Sequence, residues 1–381
     1  MAEVAKTPAT TGVQVSEPVR AVTRSGRPPF QVDVFSIVAY LVMTIGAVAS
    51  IVPFLWMLSV SFMSLGETAS GQLITNQGLI EVFNYTPAQM NATLRQGLPS
   101  FVKPTDNIRE SDLNMTVREY ANDRDSYWVI GDTVLRGGVV NYLTAWDQAN
   151  FGRYFLNSVI MTALQVLGQT LFSILAAYAF ARMEFPGRDL LFNMFLLTLF
   201  IPATIILIPN YLTVVGLNEA FNNFYASIGL TDLTKNLGLR WIDGWFGLVV
   251  PFLASTFGIF LLRQFFRQIP DELYDAARID GAGHTRFLFQ VVVPISRASI
   301  VTIVLFTFLA AWNSLDWPIL VTQAAEWRPI SYGLYAFQQD NNVELNLMMA
   351  GAVISLLPVL IVYFFTQKQF TEGIATTGLK G

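Results

Sequence analysis

One polar segment of this chain, residues 267–294, lies between two apolar ones and combines charged side chains with proline and glycine. Pro270 suits the first position of a helix, where its missing N–H costs no hydrogen bond. Asp271 and Glu272 follow in the first turn, where carboxylates favour the positive end of the helix dipole. The segment therefore predicts a short polar helix near its N-terminal end.

One face of this helix consists of small and apolar side chains. Leu273, Ala276 and Ala277 recur at i, i+3 and i+4, which places them side by side on a helix. Gly281 follows one turn after Ala277, and Gly283 allows the chain to end the helix and turn. Such a face lets the backbone or a groove of another protein approach closely, so it indicates a docking surface. An ordinary amphipathic loop helix is the alternative.

Groups suited to catalysis or metal binding are scarce. The chain has no cysteine, and His284 is its only histidine, so neither a cysteine-ligated nor a histidine-based metal site is expected. No G-x-x-x-x-G-K-[ST] phosphate loop occurs, so the chain does not bind and hydrolyse ATP by that route. We expect no enzymatic activity, no cofactor and no metal. His284 is interpreted as a helix-start or interface residue.

Composition places the chain in a lipid bilayer. The chain is 53% hydrophobic and 13% charged, whereas an ordinary soluble domain has about 25% charged residues. Several apolar runs exceed the roughly 18 to 20 residues that cross a bilayer as a helix. The formal net charge of −4 argues against a nucleic-acid partner, which prefers a basic surface. The sequence predicts an all-α integral membrane protein.

Six apolar runs are predicted as transmembrane helices, at residues 34–63, 155–181, 190–215, 246–266, 295–321 and 347–370. The first is too long for the hydrophobic region of a signal peptide, so it is interpreted as an uncleaved span. Lys and Arg in short loops mark the cytoplasmic side. They collect at both termini, around 182–188 and along 263–297. Once the long polar stretch 64–150 is set aside, as a rule for short loops requires, the opposite side has only Arg153, Lys235, Arg240 and Arg328. Both termini and the polar helix are therefore expected in the cytoplasm.

The predicted organisation comprises a cytoplasmic N-terminal tail at 1–33, the first transmembrane helix at 34–63, an extracytoplasmic insertion at 64–150, a membrane core at 151–370 with the polar loop 268–295, and a cytoplasmic C-terminal tail at 371–381. Within the insertion, 113–122 favours a helix and 125–134 favours a strand. The insertion is interpreted either as a small cap domain that contacts a partner or as a solvated spacer.

Asp275, Ala276 and Ala277, followed by Gly281 and Pro294, resemble the EAA loop of ATP-binding-cassette (ABC) importer permeases. The pattern of that loop is Glu-Ala-Ala, three residues, Gly and a later Pro. Asp275 departs from it, because its carboxylate is one methylene shorter than that of the usual Glu. Further stretches resemble the smaller permease subunit of the maltose/α-glucoside type of carbohydrate importer, at 155–159, 176–182, 185–188, 201–202, 208–209, 262–266 and 311–313.

This resemblance, which covers about residues 141–381, implies a permease subunit of a sugar importer in the bacterial inner membrane. The implied substrate is a di- or oligosaccharide. The implied partners are a second permease subunit in a heterodimer, two cytoplasmic ATP-binding subunits and an extracytoplasmic solute-binding protein. The polar helix is implied to be a coupling helix that docks on an ATPase through Glu272, Asp275, Ala276, Ala277, Asp280, Gly281 and Pro294.

Two further sets of residues are assigned less directly. The last residues, 373–381, resemble the Gly- and Lys-containing tail of the smaller maltose-type permease subunit, which reaches between the two ATPases; this resemblance implies Gly378 and Lys380. A frayed terminus is the alternative. Polar or aromatic residues within spans face other helices or a water-filled route. The candidates for the translocation path are Gln169, Asn210, Trp312 and Asn313.

Three other functions stay open at this point. Glycerol-phosphate ABC permeases share much of the motif set, although no cluster of cationic residues in the spans favours a phosphate. An ion-coupled secondary transporter needs paired ionisable groups at mid-membrane and usually a repeated half, and neither is evident in the sequence. A membrane scaffold that only recruits a cytoplasmic partner is the third.

Overall fold

The computed structural model describes residues 34–75, 79, 81–84, 127–130, 133–136, 138–148, 150–339 and 344–377. The predicted N-terminal tail, the 113–122 segment, and Gly378 and Lys380 lie outside these residues. The chain divides into two compact units, Met1–Pro53 and Phe54–Gly381. In the first unit the described residues are 34–53, and they form one continuous apolar helix.

The N-terminal part of the description contains helices α1 (Val34–Ser61) and α2 (Leu65–Ala69) and three short strands. The strands are β1 (Glu81–Asn84), β2 (Tyr127–Ile130) and β3 (Thr133–Arg136), and they form an antiparallel sheet in the order β1-β3-β2. The strand predicted within 125–134 corresponds to β2 and the start of β3. Among the described residues, strands occur only in the insertion. The predicted all-α class therefore holds for the apolar segments and not for the insertion.

The rest of the description is helical, and its helices are α3 (Val140–Gln148), α4 (Phe151–Arg182), α5 (Arg188–Leu197), α6 (Ala203–Ser227), α7 (Thr231–Asn236), α8 (Trp245–Val249), α9 (Thr256–Gln268), α10 (Asp271–Ile279), α11 (His284–Ile295), α12 (Arg297–Trp312), α13 (Asp316–Val321), α14 (Ile330–Gln339) and α15 (Leu345–Thr377). Single 3₁₀ turns lie at Thr198–Phe200, Val250–Phe252 and Ala325–Trp327. The middle of α11, Leu288–Val292, is π-helical.

Four of the described helices are long and apolar enough to cross a membrane: α1, α4, α6 and the Leu345–Gln367 part of α15. Two bent pairs raise the number to six if each pair is one span. These pairs are Trp245–Phe252 with α9, bent by 41°, and α11 with α12, bent by 82°. The predicted class of a helical membrane protein is confirmed at the level of four to six candidate spans.

Three predicted spans are interrupted in the structure, and one of them is the run at 246–266, which bends by 41° between Phe252 and Thr256. The run at 190–215 is interrupted, because α5 ends at Leu197 and α6 begins after Pro202; a residue before proline disfavours the α conformation. The run at 295–321 is also interrupted, because α12 ends at Trp312 and α13 begins at Asp316. Hydropathy detects the apolar length of a segment but not a change in its direction.

Helix α4 is the central element of the second unit. Its C-terminal half contributes Ile174, Ala177 and Tyr178 to a core cluster with side chains of α9, α11 and α12. Its first turn contributes Phe151 and Tyr154 to another cluster with Trp312 and Ile330. At the α4–α9 contact, a Cβ on Gly258 would lie 2.8 Å from Ser173 Oγ, so glycine permits this close approach.

Buried side-chain amides join elements that are distant in sequence. Asn141 Nδ2 donates to the carbonyls of Ser61 and Met63, at 3.0 and 2.7 Å, and its Oδ1 accepts from Asn346 Nδ2 at 3.2 Å. The end of α1 is thereby fixed to the starts of α3 and α15. Gln165 Nε2 donates to Leu248 O at 2.6 Å, at the point where α8 gives way to a 3₁₀ turn. A carbonyl at such a break needs a partner from a neighbouring helix.

Candidate functional site

The polar segment forms the short helix α10 with a defined end at its C-terminus. Gly281 has a φ of 78°, a left-handed conformation that glycine adopts without a steric penalty. Its N–H donates to Arg278 O at 3.0 Å, and the N–H of Ala282 donates to Ala277 O at 2.8 Å. This pair of bonds is a Schellman motif, and it explains why the helix stops one turn after the predicted docking face.

Helix α10 has an inward face and an outward face. Tyr274 and Ala277 are half-buried and pack on the core cluster that contains Phe287. The outward face is exposed, and it includes two large apolar side chains, Leu273 at 41% and Ile279 at 87% exposure. An isolated helix of this length is not stable in water, so the contacts of its inward face hold it in place.

The predicted docking residues fall on both faces. Exposed positions are Glu272, Asp275, Ala276, Asp280 and Gly281, whereas Ala277 and Pro294 are half-buried. Ala277 therefore contacts the chain's own core, and the exposed small residue of the Ala-Ala pair is Ala276. Pro294 lies in α11 just after the π-helical turn, which displaces the carbonyl that a proline ring would otherwise contact.

Arg182, the last residue of α4, anchors the start of α10. Its Nε and Nη2 donate to Phe266 O at 3.0 and 2.7 Å, Nη2 also donates to Ile269 O, and Nη1 pairs with Asp271 Oδ1. The side chain of Arg182 is only 10% exposed. The intrahelical partner of Phe266 O would be the N–H of residue 270, which proline lacks. Arg182 thus supplies the missing donor where α9 ends and α10 begins.

His284, the first residue of α11, anchors the middle of α10. Its Nδ1 lies 2.9 Å from the hydroxyl of Tyr178, and its Nε2 lies 3.0 Å from the hydroxyl of Tyr274. The ring also stacks on Tyr274, with centroids 5.2 Å apart. Tyr178 lies one turn before Arg182 on α4, so one face of α4 holds α10 at both places. The position of His284 agrees with its interpretation as a helix-start residue.

A second arginine stabilises the same end of α4. Arg263 of α9 is buried, and its Nε donates to Phe180 O at 3.2 Å. Its Nη2 lies 3.5 Å from Asp189 Oδ1, and its guanidinium stacks over the ring of Phe192 at 3.8 Å. The start of α5 is therefore attached to α9. The position of α10 thus depends on contacts among α4, α5 and α9 as well as on its contacts with α11.

The predicted translocation residues are only partly brought together. Trp312 and Asn313 line a cavity of about 210 Å³ with residues of α1, α14 and α15. Trp312 is buried, and its Nε1 donates to Ser355 O at 3.0 Å; Asn313 Nδ2 donates to Leu309 O at 2.8 Å. Gln169 is half-buried on α4 and Asn210 is exposed on α6, and neither lines this cavity.

Sequence reasoning missed Arg182, Tyr178 and Tyr274 as site residues, and it left His284 without a partner. The sequence did contain a signal for Arg182. Pro270 has no N–H to donate to Phe266 O, and an arginine at the end of an apolar run, such as Arg182, could supply a donor in its place. Nothing in the sequence relates Tyr178 to His284, because their pairing depends on how α4 and α11 pack. In the described part of the chain, no three His, Asp or Glu side chains are grouped as a metal site.

The chain is similar in sequence to known transport permeases. The chain is 33% identical to the sn-glycerol-3-phosphate transport system permease protein UgpE of Yersinia pestis over 226 residues, 59% of this chain and 73% of that protein. It is 32% identical to the diacetylchitobiose uptake system permease protein NgcG of Streptomyces coelicolor over 237 residues, 62% of this chain and 72% of that protein.

A solved structure of similar fold is that of a bacterial ABC transporter involved in the import of the acidic polysaccharide alginate, with a TM-score of 0.60 and 20% identity, covering 88% of this chain and 95% of that chain. Residues 169–375 match the family described as the binding-protein-dependent transport system inner membrane component. This matched region includes α10 and all the residues that anchor it. The chain belongs to that family: it is an inner-membrane transport component and not an enzyme.

Proposed function

We propose that this chain is one permease subunit of an ATP-driven sugar importer and that α10 is the coupling helix on which an ATPase docks. The observation that carries the proposal is the construction of α10. Its inward face is bound by Arg182 and His284, while its outward face exposes Leu273, Ala276 and Ile279 to solvent. A short helix that is firmly mounted and leaves apolar side chains exposed fits a docking surface.

The proposed topology has six spans with both termini in the cytoplasm. The four long helices count as four spans, and each bent pair counts as one more. Under this topology α10 and Arg182 face the cytoplasm, and α7 with the 322–330 segment faces the outside. The C-terminal residues Gly378 and Lys380 are then on the ATPase side, and the insertion at 64–150 is extracytoplasmic.

The proposed partners are a second permease subunit, two ATP-binding subunits and an extracytoplasmic solute-binding protein. Because the chain has no phosphate loop of its own, the energy for transport comes from the ATPases. ATP binding moves the docked helix. The transmembrane helices have two arrangements in equilibrium, and both substrate and nucleotide shift that equilibrium. Glu272, Asp275, Ala276 and Asp280 contact the ATPase, whereas Ala277 fixes the helix to the permease.

The proposed substrate class is a neutral di- or oligosaccharide of the maltose/α-glucoside kind. The relative from Streptomyces coelicolor is named for a disaccharide derivative, and the cavity beside Trp312 is lined by Asn, Ser, aromatic and aliphatic side chains without a charge. The second candidate is glycerol phosphate, which the name of the Yersinia pestis relative favours. Recognition of a phosphate uses Arg or Lys, and the lining of this cavity supplies neither.

The test of docking is the substitution Ala276→Arg, compared with Ala276→Ser and Ala298→Arg. Ala276 is exposed on α10, and Ala298 is exposed in the first turn of α12. Ala276→Arg is expected to abolish co-purification of the co-expressed ATP-binding subunit and ATP-driven uptake, since a bulky cation blocks the docking face. Its thermal stability should stay near wild type, because exposed substitutions cost within about 0.5 kcal/mol.

Both comparison variants should keep docking and uptake. Uptake is measured with radiolabelled maltose, diacetylchitobiose and sn-glycerol 3-phosphate in separate assays, and the compound that is accumulated distinguishes the two substrate candidates. Normal docking and uptake in Ala276→Arg would contradict the assignment of α10. Uptake that a proton ionophore abolishes while ATP is maintained would instead support a secondary transporter.

A further inference from the structure

Helix α4 is fastened at both of its ends to segments that are otherwise far apart. At the C-terminal end, Tyr178 and Arg182 hold the coupling segment as described above. At the N-terminal end, Asn157 Nδ2 donates to Glu326 O at 2.8 Å and to Arg328 O at 3.0 Å. The hydroxyl oxygen of Ser158 accepts the N–H of Ile330 at 2.8 Å. The same helix therefore binds the segment that precedes α14.

The two side chains of α4 that make these bonds are buried. Asn157 is 4% exposed and Ser158 is 0% exposed. Asn157 pairs with the carbonyls of Glu326 and Arg328. Ser158 pairs with the N–H of Ile330, which as the first residue of α14 has no partner within its own helix. Asn157 and Ser158 therefore fix the segment that precedes α14 to α4 through buried side chains and not through exposed surface contacts.

The attached segment, which we call the 322–330 loop, is held on its other side by Asp243. The Oδ1 of Asp243 accepts the N–H groups of Gln323 and Ala324, at 2.7 and 2.9 Å. Asp243 itself has a φ of 51°, an uncommon conformation for a residue other than glycine, and its own N–H donates to Val321 O at 3.0 Å. The 322–330 loop is thus hydrogen-bonded on one side to α4 and on the other side to Asp243, just before α8.

Between its two attachments α4 is a continuous helix. Ser158 and Arg182 are 24 positions apart, which corresponds to about 36 Å along the helix axis. No proline interrupts the helix, so the commonest cause of a sharp kink is absent between the two ends. A rigid element that joins two sites is a physical route for coupling between them when both sites bias its position.

We propose that α4 links the coupling helix mechanically to the 322–330 loop, with Arg182, Asn157 and Ser158 as positioning residues at its two ends. This inference rests on the proposed docking of an ATPase at α10. Engagement of nucleotide by the docked ATPase shifts α4, and the shift changes the hydrogen bonding of the 322–330 loop at the opposite end. Under the proposed topology the loop faces the outside, where a solute-binding protein delivers substrate.

The test is hydrogen–deuterium exchange of the complex with its ATP-binding subunit, with and without a non-hydrolysable ATP analogue. In the wild type, nucleotide is expected to change the exchange of the 322–330 loop as well as that of α10. Arg182→Gln and Asn157→Ala should reduce the response of the loop about fivefold, equivalent to about 1 kcal/mol of coupling. The ATPase should still co-purify with both variants, because the outward face of α10 is untouched.

Arg188→Gln is the matched control for Arg182→Gln. Arg188 is the first residue of α5, and in the described residues its side chain donates to Met183 O and Asp189 Oδ1 and not directly to α9 or α10. It should keep the wild-type response. If Arg182→Gln does not fold, Tyr178→Phe removes only the hydroxyl that contacts His284 and should lower the response in the same direction. Unchanged exchange elsewhere in the chain separates a positioning role from general destabilisation.

The outcomes are distinguishable. If the ATPase docks on the wild type but the 322–330 loop does not respond to nucleotide, the link through α4 is wrong. A full response in Arg182→Gln and Asn157→Ala also overturns it. If no ATP-binding subunit co-purifies with the wild type, the proposed function itself fails and the link falls with it.

Discussion

Arg182 shows how one side chain serves two physical purposes. In the assignment of membrane topology, Arg182 counts as one of the positive charges that mark the cytoplasmic end of a span. In the structure its guanidinium donates to Phe266 O and Ile269 O and pairs with Asp271. Several donors in a fixed fork suit this position, because the end of α9 leaves carbonyls unpaired and Pro270 contributes no N–H.

Gln165 permits a test at the scale of one residue. Gln165→Leu removes the donor to Leu248 O and should cost about 1 kcal/mol, the usual size of a hydrogen bond between membrane helices. The expected result is a melting temperature a few degrees lower in detergent. Gln169→Leu, one turn along α4 and without a hydrogen bond in the described structure, is the control and should melt close to wild type. Equal losses in both variants would show that the Leu248 contact is not the cause.

At the scale of an element, the end of α10 depends on the backbone of Gly281. Gly281→Val should destabilise the Schellman motif by about 1 to 2 kcal/mol, the cost of a left-handed conformation for a residue with a Cβ. The amides of Asp280 and Ala282, which donate to Ala276 O and Ala277 O, are then expected to exchange faster with deuterium. ATP-driven uptake should fall, since Ile279 and Asp280 lose their fixed positions.

Gly283→Ala is the control for this substitution. Gly283 has a φ of −82°, and no atom lies within 4 Å of a Cβ built there. Alanine should therefore be accepted with exchange and uptake close to wild type. If Gly281→Val also left the two amides protected, the helix end would have to be stabilised by something other than the conformation of Gly281.

The elements differ in how well the sequence predicts them. Apolar length predicts α1, α4 and α15 well, because a helix in lipid must satisfy its backbone internally over some 20 residues. The breaks at Pro202 and between Trp312 and Asp316 are not predicted, since they depend on backbone angles within apolar runs. In the candidate site, the existence and the start of α10 follow from Pro270 and the acids after it. The sequence does not show which face of α10 is exposed, because Ala276 and Ala277 are chemically alike. Their difference in exposure comes from the packing of Tyr274 and Ala277 on the core.

At the scale of the whole molecule, the absence of cysteine makes the topology easy to measure. Single cysteines introduced at Asn236, the last residue of α7, and at Glu184, between α4 and α5, occupy exposed positions. With a membrane-impermeant thiol reagent on spheroplasts, Asn236→Cys is expected to be labelled directly and Glu184→Cys only after permeabilisation. The cysteine-free wild type gives the background. The reverse pattern would invert the proposed orientation and place α10 outside.

Under the docking proposed for α10, the 82° angle between α11 and α12 determines the direction in which a displacement of α10 would be passed on. A push along the axis of α11 reaches the first turn of α12 almost at right angles to the axis of that helix. Such a push tilts α12 and does not slide it lengthwise. Tilting moves one end of a helix further than the other, so a small displacement at the surface is enlarged at the end near Trp312, where the cavity lies.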